Sequence, residues 1–282
     1  MVIQAPSDPL STFHPGLFAD TVTLVTGGGT GIGRATALGF ARLGSDLVLA
    51  GRRADLLETA AAEIAEQYGR RVLAVPTNIR DPESVEALRD AAYGEFGRVD
   101  TLVNNAGGQF PTLPSQLSDN GWRSVVDLNL NGTWTMLNRF MTPMVEAGGG
   151  SIVTMVHTYV FERGSRFFVH SGAARAGVLS LTRTMASFLA PHGVTVNAIA
   201  PGLIDTSGMR EHEGDVVKAL DIDAMAELGL KSTRRMGTVE EVAAGIAWLA
   251  SPGARYVTGT VTVVDGGLVL DNWPDPWERD AY

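Results

Sequence analysis

Short apolar runs recur along the 282-residue chain, separated by longer stretches in which apolar residues return every three or four positions. Thr21–Thr26 (TVTLVT), Asp46–Ala50 (DLVLA), Arg71–Val75, Thr101–Val103, Ser151–Val156, Val194–Ile199 and Val261–Val264 read as strands. Their nearly continuous hydrophobicity fits strands covered on both faces. Gly31–Leu43 and Ala54–Tyr68 read as helices. Pro82–Phe96 reads as a third, opened by Asp81 as N-cap with Pro82 at its first position. Strand and helix alternate throughout, with no internal repeat and no long linker. That order predicts an α/β fold: one doubly wound domain over residues 18–270, a parallel sheet with helices on both faces. An N-terminal arm (1–17) and a C-terminal tail (271–282) are expected outside it.

Composition changes this picture little. A length of 282 residues with 45% hydrophobic content is enough for one large core or two small ones. A net charge of −9 argues against a nucleic-acid or anionic-membrane partner. The absence of cysteine excludes disulfides, thiolate metal ligands and a cysteine nucleophile. The start, MVIQAPSDPLSTFHPG, lacks the apolar segment of a signal peptide, and no apolar run approaches the roughly 20 residues that cross a bilayer. A cytoplasmic location is therefore expected. No histidine–carboxylate cluster has convincing metal-ligand spacing, so no catalytic metal is expected.

Candidate chemistry begins between the first strand and the first helix, at Thr26-Gly27-Gly28-Gly29-Thr30-Gly31-Ile32-Gly33. Glycines there let the backbone approach a pyrophosphate, and the helix N-terminus offers unpaired N–H groups. In a strand–turn–helix context this predicts a Rossmann-type cofactor site that includes Gly27, Thr30, Gly31 and Ile32. At the end of the second strand an acidic side chain would hold the ribose 2′-hydroxyl of NAD. The chain carries Arg52-Arg53 instead, which suits the 2′-phosphate of NADPH; the plainer alternative is two solvated arginines. Asn78-Ile79, past the third strand, lies where an adenine would rest.

With Asn104-Asn105-Ala106-Gly107 after the fourth strand, the pattern resembles the short-chain dehydrogenase/reductase family. Asn129 in DLNLNG, Pro201-Gly202 after NAIA, with Ile204 just beyond, and Asp265-Gly266-Gly267 extend the match over nearly the whole chain. The resemblance implies a seven-stranded parallel sheet, a nicotinamide cofactor held in part by Asn105, Ala106, Gly107, Pro201, Gly202 and Ile204, and a homotetramer or homodimer. It also implies four catalytic groups: the Asn, a Ser, a Tyr and a Lys four residues after that Tyr. Here Ser171 stands at the Tyr position, Arg175 at the Lys position and His157 at the Ser position. The run VHSGAARAGV, with GGQF (107–110), Gly121-Trp122 and DNWP (271–274), is similar to the trans-2-enoyl-CoA and 2,4-dienoyl-CoA reductase branch. That branch reduces C=C bonds with NADPH and implies an acyl-thioester substrate and a place in fatty-acid metabolism. By the same resemblance, the thioester oxygen falls to Gln109 and Tyr159.

The chemistry is consistent with those replacements. Reducing a ketone makes an alkoxide that needs a proton as it forms, usually from a tyrosine beside a lysine. Ser171 is a poor acid, and Arg175 stays charged. Reducing a conjugated C=C sends hydride to Cβ and charge to the carbonyl oxygen, where two fixed donors are what the step requires. Gln109 and Tyr159 are the candidate donors, water the proton source at Cα, and Arg175 a ligand for the nicotinamide ribose. The plainer alternatives remain. Gln109 could be a solvated amide, Tyr159 a packed aromatic, Ser171 a helix N-cap and Arg175 an exposed helical residue. His157 and His170 could make structural hydrogen bonds. Residues 203–235 are expected to form a substrate lid. In that segment Met209, Met225 and Leu230 suit an acyl chain or ordinary packing, and Lys231, Arg234 and Arg235 suit CoA phosphates or solvent. Three functions follow in order: an NADPH-dependent enoyl-thioester reductase, a carbonyl or alcohol oxidoreductase using Tyr159 or His157 as acid, and a catalytically inactive cofactor-binding protein.

Overall fold

The computed structural model describes residues 8–160, 164, 167–206, 208, 233 and 235–270. Seven strands form one parallel sheet: β1 (Val22–Thr26), β2 (Asp46–Gly51), β3 (Val72–Pro76), β4 (Thr101–Asn104), β5 (Gly150–Met155), β6 (Val194–Pro201) and β7 (Val261–Val264). Their order across the sheet is β3-β2-β1-β4-β5-β6-β7. Chain direction across the sheet reverses between β1 and β4, so the loops after these two strands part and leave a crevice at their C-terminal ends. The strands start or end within one or two residues of the sequence reading.

Alternation along each strand sorts the core into two layers. Val25, Leu47, Leu49 and Ile199 face α1 (Gly31–Arg42), α2 (Ala54–Tyr68) and a late helix, Val239–Ala250, and meet Phe40, Ile64, Val242 and Ile246 there. Leu24, Val48, Ile152 and Val196 face the other way. They pack on α3 (Pro82–Phe96), α5 (Gly132–Glu146) and α6 (Val169–Leu189) through Val85, Leu88, Phe140 and Met185. The β1–β2 register pairs Leu24 with Val48 and Val25 with Leu49, so neighbours in the sheet share a face. A slip of one residue would turn every one of these side chains to the wrong layer. Asp81 caps α3 as expected, accepting from the Glu83 N–H at 3.1 Å, with Pro82 opening the helix.

α4 (Asp119–Val126) runs into α5 through a π-helical turn, Asp127–Asn131. Leu10, in a short 3-10 turn at Pro9–Thr12, is buried in the first layer. A Cβ on Gly39 of α1 would come within 2.9 Å of its side chain. Most of the expected lid, including Met209, Met225, Leu230, Lys231 and Arg234, lies outside the described residues, as does the tail 271–282. Arg235 is described and is partly buried. It forms a two-pronged ion pair with Glu241, at 2.9 and 2.6 Å.

Candidate active site

The turn after β1 is built so that only glycine fits. Gly27 has φ +68°, and a Cβ there would lie 2.8 Å from Asn105 Nδ2. A Cβ on Gly33 would lie 2.2 Å from the Gly27 carbonyl oxygen, which fixes α1 hard against the turn. Thr30 occupies the N-cap of α1 but makes no side-chain cap, so the first N–H groups of that helix stay available to a ligand. Asn105 supports this turn from the β4 side. Its amide donates to the Thr26 carbonyl at 2.8 Å, while the Asn105 and Ala106 N–H groups donate to Thr26 Oγ1 at 3.0 and 2.9 Å. Its side chain therefore shapes the cradle from behind.

Arg52 and Arg53 follow β2 and are exposed. Neither is paired with a carboxylate among the described residues. Arg53 leans over the glycine turn, 3.5 Å from Thr30 Oγ1, a long contact that places the guanidinium without satisfying it. Asn78 accepts from the Arg80 N–H at 3.3 Å. Ile79 is buried, and a Cβ on Gly132 would come within 2.8 Å of its side chain. Pro201 ends β6, Gly202 donates to the Val264 carbonyl at 3.0 Å, and Ile204 is buried beside a bridge to Gly237.

The catalytic candidates come from the ends of β4 and β5, the π turn and the start of α6. Arg175 is only 7% exposed, so it is not the surface helical residue that was the plainer alternative. It donates to the Met155 carbonyl at 2.6 Å and has no carboxylate partner among the described residues. Its guanidinium abuts Gly107, where a Cβ would be 2.0 Å from Nη2. Burial pushes its pKa down to about 10, which still leaves it charged at neutral pH. A buried guanidinium without a counter-ion is rare, and its position over the Asn104–Gly107 turn suits an electron-rich ligand.

The π turn aims Asn129 inward. Asn129 accepts from the Gly108 N–H and donates to the Gly108 carbonyl, both at 2.9 Å, clipping the loop that carries Gln109. Its Nδ2 lies 3.5 Å from Ser171 Oγ. Ser171 is buried inside α6, whose N-cap is Phe168, so it is not a cap. Gln109 is exposed on its loop. Tyr159 lies in a 3-10 turn, Thr158–Val160, directly after β5.

His157 stands between these groups. Its ring meets that of Tyr159 edge-on at 5.9 Å, and both ring nitrogens are buried without a hydrogen-bond partner. Burial, then the Arg175 cation, push its pKa down to about 4, so it is neutral at physiological pH. His170 is fully buried: its Nδ1 accepts from the Ser171 N–H at 2.9 Å, its Nε2 is buried without a hydrogen-bond partner, its ring packs edge-on against Phe110, and burial lowers its pKa.

Sequence reasoning missed Thr158. Its buried hydroxyl donates to Asp265 at 2.6 Å across the end of β6, a pairing between residues 107 positions apart that no local signal announces. A cleft of about 490 Å³ opens between the N-terminal 3-10 turn, α1 and the start of the late helix, and holds none of the site residues. No group of three potential metal ligands occurs, and no helix is long and apolar enough to cross a membrane, among the described residues.

Known proteins match this chain over most of its length. Residues 27–269 match the enoyl-(acyl carrier protein) reductase family. A peroxisomal 2,4-dienoyl-CoA reductase of Pongo abelii is 38% identical over 263 residues, covering 92% of this chain and 87% of the relative. A probable 2,4-dienoyl-CoA reductase of Bacillus subtilis is 35% identical over 253 residues, covering 89% and 97%. Among solved structures, a citronellol catabolism dehydrogenase of Pseudomonas aeruginosa superposes with a TM-score of 0.78 at 39% identity, covering 91% and 98%. A protein of Beutenbergia cavernae described as an NAD(P)-dependent gluconate 5-dehydrogenase, solved with bound NADP, gives 0.82 at 34% identity, covering 92% and 100%. The chain belongs to the short-chain dehydrogenase/reductase family of oxidoreductases, in its enoyl-reductase-like group.

Proposed function

We propose that this protein reduces the C=C bond of an unsaturated acyl thioester with NADPH. The observation that carries the reading is the pair at 171 and 175. A buried serine and a buried guanidinium, charged at neutral pH, stand where a proton-delivering tyrosine and lysine would serve ketone reduction. A site so equipped stabilises developing negative charge better than it delivers a proton.

A nicotinamide cofactor fits the residues present: the glycine cradle, the N-terminus of α1 and Arg175 would hold it, and it supplies the hydride. Arg52 and Arg53, with no carboxylate among the described residues, suit a 2′-phosphate. The Asn129 clip on Gly108 holds the loop from which Gln109 donates to the thioester oxygen, and Tyr159 donates from the turn after β5. Charge that builds on that oxygen is then met by two fixed donors, with Arg175 adding a positive field from behind Gly107. Water protonates Cα. His157, neutral at working pH, is no proton store, which weighs against the carbonyl-reductase reading that used it as acid.

A second substrate reading has its own support. The Pongo abelii and Bacillus subtilis relatives named above act, by name, on 2,4-dienoyl-CoA. The two differ in where the hydride lands, on Cβ of a 2-enoyl thioester or on Cδ of a 2,4-dienoyl thioester giving a 3-enoyl product, with the proton going to Cα in both, and parallel assays of matched thioesters separate them.

Gln109→Ala is expected to lower kcat by roughly 10–10³-fold with NADPH affinity little changed, the usual cost of an oxyanion donor being up to ~4 kcal/mol. Tyr159→Phe should behave alike. Steady-state kinetics and a fluorescence titration read both, and unchanged turnover removes that donor from the mechanism. The site provides no reason for a metal. Assembly as a tetramer or dimer and a cytoplasmic location remain part of the proposal.

A further inference from the structure

We infer that Asp265 is a positioning residue for Tyr159, acting through Thr158 across the end of β6. The inference rests on the proposed role of Tyr159 as a donor to the substrate oxygen. β5, β6 and β7 lie side by side, and each contributes one part at its C-terminal end. From β5 comes Thr158, fully buried, whose hydroxyl donates to Asp265 Oδ2 at 2.6 Å. From β6 comes Gly202. A Cβ there would lie 2.7 Å from Asp265 Cβ and 2.8 Å from Asp265 Cα, so the absence of a side chain is what lets residue 265 sit against the strand end. From β7 comes Asp265 itself, whose second oxygen, Oδ1, accepts from the Gly267 N–H at 2.8 Å.

Both carboxylate oxygens are thus engaged, one holding the turn after β7 and one reaching over to the turn after β5. That second turn is Thr158–Val160, closed by the Val160 N–H on the His157 carbonyl at 3.2 Å, and Tyr159 is its middle residue. Three residues of 3-10 helix are too few to hold themselves in place. The charge-assisted bond from Thr158 pins this turn, and Tyr159 also makes an edge contact with the ring of His157. A donor aimed at a developing oxyanion must be held to a fraction of an ångström, and the loss of such support for a reacting group costs up to about 10²-fold.

The test uses Thr158→Val, which keeps the shape and removes the hydroxyl, with Thr158→Ser, which keeps the hydroxyl. Each is made in the full chain, alone and combined with Tyr159→Phe, and assayed with NADPH and an unsaturated acyl-CoA. Thermal melting and NADPH titration accompany each variant. Thr158→Val is expected to lower kcat about 10–100-fold, leaving KM for NADPH within about twofold. Thr158→Ser should restore most of it. On a Tyr159→Phe background, Thr158→Val should lower kcat no further, because the group it positions is already gone. Asp265→Asn, which leaves Thr158 intact, should repeat this non-additivity and covers the case that Thr158→Val does not fold. If Tyr159→Phe is slow and both Thr158→Val and Asp265→Asn multiply its defect by their full factors, the positioning role is overturned while the donor role of Tyr159 stands. If Tyr159→Phe turns over like the wild type, both are overturned.

Discussion

At Gly107 a single missing side chain decides what its neighbour can be. The guanidinium of Arg175 occupies the space a Cβ would take, and from there it acts on His157. The two residues form an unequal pair, one cation and one imidazole kept neutral by burial and by that cation. A histidine whose pKa falls from 6.5 in the unfolded chain to about 4 binds fewer protons folded than unfolded between those values. Its contribution is complete above pH 6.5 and is lost as pH falls towards about 4. His157→Asn is therefore expected to flatten the fall in stability over that window, read by denaturant unfolding at several pH values. Parallel curves for variant and wild type would contradict the assigned state. The residue types at this site were legible in the sequence, including the joint replacement of the Ser, Tyr and Lys positions by His157, Ser171 and Arg175. Their states were not, because burial, the contact on Gly107 and the proximity of Arg175 to His157 are properties of the fold.

Elements carry the site more than their sequence signals suggest. The glycine turn and the Asp81-Pro82 start of α3 were readable because each depends on residues adjacent in the chain. The π turn at Asp127–Asn131 was not: one extra residue in a helical turn leaves the apolar pattern almost unchanged, yet it aims Asn129 at Gly108. The late helix shows a similar case. Thr238 and Glu241 form a reciprocal capping box, at 3.2 and 2.8 Å, and Arg235 grips the same carboxylate. The hydrogen bond from Arg235 holds the Glu241 carboxyl below its ordinary value, despite some opposing burial. Its stabilisation is therefore present above the ordinary carboxylate range and lost as pH falls through the lower folded value. Glu241→Gln is expected to cost about 1 kcal/mol at neutral pH, with the gap closing in acid. Urea midpoints at neutral and acidic pH check this, and a gap that persists in acid would count against the ion pair as its source.

For the whole molecule, strict strand–helix alternation was enough to anticipate a doubly wound parallel sheet, because parallel strands need helical crossovers and these bury both faces, while the family resemblance implied its seven strands. What alternation does not give is which strand ends become neighbours across the C-terminal edge. The Thr158–Asp265 bond, spanning β5 to β7, became visible only in the fold. The same edge places Arg53 over the glycine turn, and NADPH is expected to bind at least about tenfold more tightly than NADH, each phosphate–arginine bond being worth roughly 1.5–3 kcal/mol. Fluorescence titration of both cofactors decides it, and equal affinity would remove the arginines from cofactor choice. The central claim is that this site reduces a conjugated C=C and lacks the machinery for a ketone. The most direct test offers the enzyme 2-enoyl-CoA, 2,4-dienoyl-CoA and 3-ketoacyl-CoA of one chain length with NADPH, following cofactor oxidation and product mass. Turnover of an unsaturated thioester to a product two hydrogens heavier, with the ketone left intact, is the expected result; rapid reduction of the ketone alone would contradict it.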